Sequence, residues 1–263
     1  MIHIMFLRTA VLIVLTLPFS YAQSLQLVNA ASYSNLSFAP QSIAAAYGTK
    51  LATSQAQGTD PLPFQLAGTK VTVAGIAAPL YFVSSGQVNF VVPAGIPIGD
   101  APVVVTSGDA SSSKTTITIA AVAPALFTAN ADGKGPAAGN LLRINSKGER
   151  TVELIAKYDA AQKLFVPADI DMKADQLYLL LYGTGIRNAR SVQVKIGTVT
   201  ITPDYAGPQG TYSGLDQINV AIPRSLGSAG NVDVILTADG KAANTVKLSF
   251  NASVTIPILI GGE

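Results

Sequence analysis

The 263-residue chain has no cysteine and no tryptophan, and its one histidine is His3. Without cysteine no disulfide can form, so packing alone must hold the fold even in an oxidising compartment. A chain this long can do that, because it buries a large share of its surface. Histidine and cysteine also supply the ligands of zinc sites. A Ser-His-acid triad and a Cys-His dyad both need histidine. Beyond His3 none of these can be assembled. Charge is scarce as well, at 12% of residues. Helical periodicity is missing after the first twenty-odd residues, and what replaces it is short alternating runs.

The N-terminus has the layout of a secretory signal: Arg8 as the one positive charge, an apolar stretch from Ala10 to Phe19, then Ser20-Tyr21-Ala22. Cleavage is expected after Ala22, giving a secreted protein in the periplasm or outside the cell. A retained N-terminal anchor is the rival, although the stretch is short for a membrane span. With the signal goes His3. Loss of Arg8 leaves sixteen basic against fifteen acidic side chains. That balance gives no reason to expect nucleic acid or an anionic membrane as partner, and no stable membrane insertion is expected after cleavage.

What the chain does have is hydrophobicity at 49%, with 23 glycines and 15 prolines. It also says most things twice. "GQVNFVVPAG" at 86–95 returns as "DQINVAIPRS" at 216–225. "YGTKLA" at 47–52 returns as "YGTGIR" at 182–187, and "VTVAG" at 71–75 as "VQVKIG" at 192–197. "VVVTSGDASSSKTTITI" (103–119) parallels "VILTADGKAANTVKLSF" (234–250). Two copies of one domain explain the same order at similar spacing. Val88, Phe90 and Val92, like Ile218, Val220 and Ile222, fall on the core face of a strand, with Gln87 and Asn89, or Gln217 and Asn219, on the other. Turn signals every ten residues or so indicate two tandem immunoglobulin-like β-sandwiches, in an all-β fold. The expected division is signal 1–22, first sandwich 23–120, a connector with an inserted β-hairpin at 121–170, second sandwich 171–252, and an apolar tail 253–263. Within the connector, turns are expected at Ser146-Lys147-Gly148 and at Asp159–Gln162, and the inserted hairpin is read as belonging to, or packing against, the second sandwich.

"VNAASYSNLSFAPQSIAAAYGTKLA" (28–52), "AAPLYFVSSGQVNFVVPAG" (77–95), "LYGTGI" and "DQINVAIP" resemble one family. It comprises secreted bacterial proteins, abundant in acidobacteria, that carry a tandem domain of unknown function related to IPT/TIG immunoglobulin-like folds. The resemblance spans nearly all of the chain after the signal. It implies a fold and a compartment, and no catalytic residues or cofactor.

The remaining chemistry is that of carboxylates and loops. Asp169, Asp171 and Asp175 form the densest acidic group, but glycoside hydrolysis needs two acids facing each other across a cleft. A solvated turn before the Leu177–Tyr182 strand is the plainer reading, with Asp169 and Asp171 as a weak calcium site for its alternative. "NADGKG" (130–135) begins like an EF-type loop, yet its fifth place is Lys134 and its twelfth Leu141, so the ligand set fails. No metal and no cofactor are expected, and the chain is read as a non-enzyme. The repeated Gln-x-Asn is read as structural, its amides satisfying backbone groups of adjoining loops, with a polar ladder that recognises a sugar or peptide as the alternative. Glycine in the "YGT" triplets is read as permitting a turn. "DYAGPQGTYSGLD" (204–216) adds tyrosines and glycines that the first copy lacks, so Tyr205, Gln209, Tyr212 and Asp216 are the candidate ligand-binding residues. The rival is a loop folded onto its own sandwich. The tail "VTIPILIGGE" either docks internally or donates a strand to a partner. The sequence therefore predicts an extracellular adhesion or protein-interaction module, with polysaccharide binding as the alternative.

Overall fold

The computed structural model describes residues 25–172 and 175–251. The expected signal 1–22 and the tail 253–263 lie outside the described residues. The rest is all-β, with one short 3-10 turn at Arg224–Leu226 and no helix long and apolar enough to cross a membrane among those residues.

The first sandwich uses β1 (Gln26–Asn29), β2 (Ile43–Tyr47), β3 (Ala56–Gln57), β4 (Lys70–Val73) and β5 (Ile76–Ala77). It continues through β6 (Leu80–Val83), β7 (Gln87–Val91), β8 (Gly99–Thr106) and β9 (Ser112–Ile119). One sheet is ordered β1-β2-β7-β6-β3 and the other β5-β4-β8-β9. Val88, Phe90, Val103, Ile117 and Ile119 fill the space between them. The alternation read from sequence is what buries them, since residues two apart share a face.

The second sandwich begins earlier than expected. β10 (Ala125–Leu126), β11 (Gly139–Ile144) and β12 (Arg150–Leu154) lie within the supposed connector. β11 pairs residue by residue with β16 (Gln176–Thr184), and β10 pairs its end. They are therefore strands of the second sandwich. Only β13 (Ala156–Asp159) and β14 (Leu164–Pro167) make a separate hairpin, turned by Asp159 Oδ1 accepting from Ala161 N and Gln162 N. β15 (Asp169–Asp171) then joins the other sheet in parallel. That sheet also holds β17 (Val192–Ile196), β18 (Val199–Ile201), β21 (Gly230–Ala238), β22 (Lys241–Ala242) and β23 (Val246–Asn251). The facing sheet is completed by β19 (Tyr205–Pro208) and β20 (Asp216–Ala221), in the order β12-β11-β16-β20-β19.

The repeat extends to register. Tyr47 stands opposite Gln87 and Ala45 opposite Asn89; Tyr182 stands opposite Gln217 and Leu180 opposite Asn219. Gln87 Nε2 donates to Asn89 Oδ1 at 2.8 Å, and Gln217 Nε2 donates to Asn219 Oδ1 at the same 2.8 Å. These amides clasp each other along the strand rather than reaching into loops, which corrects the partner expected from sequence. Gly183 is small for a different reason than a turn. A Cβ there would stand 2.5 Å from the Ala125 carbonyl oxygen, because β10 passes over it.

Candidate binding surfaces at the domain junction

The two sandwiches are stapled through the Gln209–Leu215 loop between β19 and β20. Gln209 Oε1 accepts from Thr211 N (2.9 Å) and Tyr212 N (3.2 Å), which fixes the loop internally. Its tip then crosses to the first domain. Tyr81 Oη donates to the Ser213 carbonyl at 2.6 Å, and Ser213 Oγ donates to Asp60 Oδ1 at 2.7 Å. Gly214 has φ +81° and no room for a side chain, as a Cβ would lie 2.8 Å from Ile43 Cγ1 and 3.3 Å from Val91 Cγ2. Thr184 completes the joint: its hydroxyl donates to the Gly214 carbonyl (2.8 Å) and accepts from Ile43 N (2.9 Å). Burial pushes the Tyr81 phenol up to about 12, with the nearby Asp60 charge adding to the rise.

The four residues singled out by sequence have different fates. Tyr205 is exposed, but its hydroxyl donates to the Pro208 carbonyl and its ring lies over Gly207. Gln209 is spent on the loop. Asp216 is wholly buried, accepting from Ile186 N (2.7 Å), Arg187 N (3.2 Å) and Arg187 Nε (2.7 Å). Burial raises its pKa, against those N–H groups and the guanidinium, which lower it. Its oxygens are thus engaged inside the fold. Tyr212, 57% exposed, is the one of the four that lines a cleft of about 510 Å³ between the domains. Asp60, Pro61 and Arg187 line the same cleft, and none of the three stands out in the sequence. Asp60 and Arg187 belong to different copies, so no local spacing could have joined them.

The acids at 169–175 are occupied. Asp169 accepts from Ser249 Oγ (2.8 Å) and Lys157 Nζ (3.1 Å), which hold its carboxyl below the usual range. Asp175 pairs with Arg143 at 3.1 Å, and Arg143 Nη2 donates to the Asp171 carbonyl at 2.9 Å. In "NADGKG" the Asp132 carboxylate accepts from Lys134 N at 2.8 Å, and Asn130 clasps both backbone groups of Phe165. A second cleft at the junction, about 380 Å³, is lined by Asn29, Leu36, Lys241 and Asn244. Asn244 is used up there on Leu126 and Gly133 backbone groups.

Equivalent sheet faces differ between the copies. In the first sandwich the outward side of β2 and β7 includes Ile43 and Val91, the residues that Gly214 covers. In the second, the matching side of β16 carries Tyr178, Leu180 and Tyr182, half-buried, flanked by Leu142 and by the exposed Val152 and Leu154.

No protein-family model matches the chain, and no curated protein matches it. Among solved structures it is similar to SGBP-B of the mixed-linkage glucan utilization locus of Bacteroides ovatus, solved with a mixed-linkage heptasaccharide. That match has 11% identity, a TM-score of 0.35, and covers 82% of this chain and 43% of that one. The Plexin A4 extracellular region matches at 10% identity and TM-score 0.28, over 89% of this chain and 17% of that one. An auxiliary nutrient binding protein from Bacteroides ovatus matches at 9% identity and TM-score 0.25, over 88% and 71%. The chain thus spans less than half the length of the first two.

Proposed function

We propose that the protein is an extracellular, non-catalytic interaction module that holds a protein partner on the outward sheet face of its second sandwich. One observation supports this reading above the others. The corresponding face of the first sandwich already holds a polypeptide loop, through Gly214 against Ile43 and Val91 and through Tyr81 on Ser213. The second face keeps the register and enlarges the apolar side chains, with Tyr178 where the first has Ile43 and Leu180 where it has Ala45. Tyrosine anchors such as Tyr178 and Tyr182 are among the side chains a protein partner buries most productively. The secretory layout of residues 1–22 supports the extracellular placement.

The test is capture of envelope proteins from the source organism on the immobilised protein. A double substitution of exposed and half-buried anchors, Val152→Asp with Tyr178→Ala, is expected to weaken capture by about tenfold or more, with Tm little changed. Capture that is indifferent to these changes counts against the reading.

A further inference from the structure

We infer that the cleft between the two sandwiches is a binding site for a neutral saccharide, hydrogen-bonded by Asp60 and Arg187 and stacked on Tyr212. The site stands apart from the sheet face proposed above and does not depend on it. Its volume, about 510 Å³, falls in the range of roughly 300–1,000 Å³ common for small-molecule sites, which favour domain boundaries.

Three groups define the ligand chemistry. The Arg187 side chain is only 10% exposed and doubly tethered, Nε to Asp216 Oδ1 at 2.7 Å and Nη2 to the Leu215 carbonyl at 2.9 Å. Among the described residues Nη1 has no partner, and the residue lines the cleft. A donor edge is therefore fixed in place before any ligand arrives, which lowers the ordering cost of binding. Asp60 lines the same cleft and spends Oδ1 on Ser213 Oγ, leaving its second oxygen as an acceptor. One donor and one acceptor suit hydroxyl groups, each of which can both give and take a hydrogen bond. Tyr212 supplies an aromatic face, and its backbone is held by Gln209. An aromatic ring buries apolar surface while tolerating polar groups at its rim, as the C–H face of a sugar requires.

Charge narrows the class further. Two carboxylates, Asp60 and Asp216, stand near one guanidinium. The local excess is negative, which disfavours carboxylated or sulfated sugars and leaves neutral ones.

The experiment is saturation-transfer NMR followed by calorimetry on the purified protein. The probes are tetra- to hexasaccharides of glucose, xylose and mannose, with an oligogalacturonate as the anionic control. Saturable binding of a neutral oligosaccharide is expected, weakened about tenfold by Tyr212→Ala and by Asp60→Asn. The Val152→Asp, Tyr178→Ala variant should bind it normally. Tyr212 is exposed, so its variant remains informative if Asp60→Asn disturbs the joint. The proposal is overturned if no neutral oligosaccharide binds at millimolar concentration, if binding survives both cleft variants, or if the anionic control binds better.

Discussion

In the first sandwich the N–H of Leu51 is bonded by the Ser85 carbonyl; in the second, the matching Ile186 N–H turns to the side chain of Asp216. Asp216 stands where the first copy has Gly86, one place before the shared Gln-x-Asn. The exchange follows from loop length. Ser84-Ser85-Gly86 is short enough for its own backbone to serve the neighbouring turn. Gln209–Leu215 is longer and its tip is committed to the other domain, so a buried carboxylate supplies the missing acceptor. Arg187, where the first copy has Ala52, then neutralises that carboxylate. The comparison teaches that one strand frame accepts two endings, and that the elaborated ending is the one that joins the domains.

Breaking this difference should give the largest effect. Asp216→Ala leaves Arg187 buried without its counter-charge and the Ile186 N–H without an acceptor, so a loss of about 3–5 kcal/mol is expected. Gly86→Ala is the matched control. A Cβ at Gly86 meets nothing closer than the Gly48 carbonyl at 3.9 Å, so a change within about 0.5 kcal/mol is expected. Urea unfolding of both variants checks the pair. Equal costs would mean that the carboxylate is not the substitute it resembles.

The joint itself is tested by Tyr81→Phe, which deletes the hydroxyl on Ser213. A cost of about 0.5–1.5 kcal/mol is expected at neutral pH. An acid whose pKa is raised on folding is favoured in its protonated form by the native state. The contribution of Tyr81 is therefore whole below the ordinary phenol value of about 10, and is lost as pH rises towards about 12. Denaturation midpoints of the parent and of Tyr81→Phe should converge over that window. A gap that stays constant would place the effect elsewhere than in this hydroxyl.

Sequence alone gave the double sandwich because alternation and repetition are local properties. Val88, Phe90 and Val92 announce their burial within seven residues, and the two "YGT" triplets carry the register. The membership of the connector stays open in the sequence for the opposite reason. β11 and β12 have no counterpart phrase that names their neighbour, and only pairing with β16 shows that they complete its sheet. Asp216 looked like a ligand residue because it follows a loop of Tyr, Ser and Gly. Its partners Ile186 and Arg187 lie about thirty residues upstream, and nothing in that spacing marks them. The cleft was invisible altogether, since it exists only where Asp60 of one copy meets Arg187 and Tyr212 of the other.

The smallest expected effect is also the most symmetrical. Gln87→Ala and Gln217→Ala each remove one amide–amide bond from a half-buried strand face, at a cost of about 0.5–1 kcal/mol. The clasps are identical in length and lie in separate sandwiches, so the double variant should be additive within about 0.3–0.5 kcal/mol. Calorimetric melting of the three variants measures this. Equal and additive costs would show that the repeated phrase holds the strand in both copies. Gln217, however, lies on the face proposed for a partner, while Gln87 lies beside the face already occupied by the neighbouring domain. If Gln217→Ala weakens capture while costing no more stability than Gln87→Ala, one clasp serves both the strand and the surface. If capture is unchanged, recognition rests on the tyrosines and leucines around it.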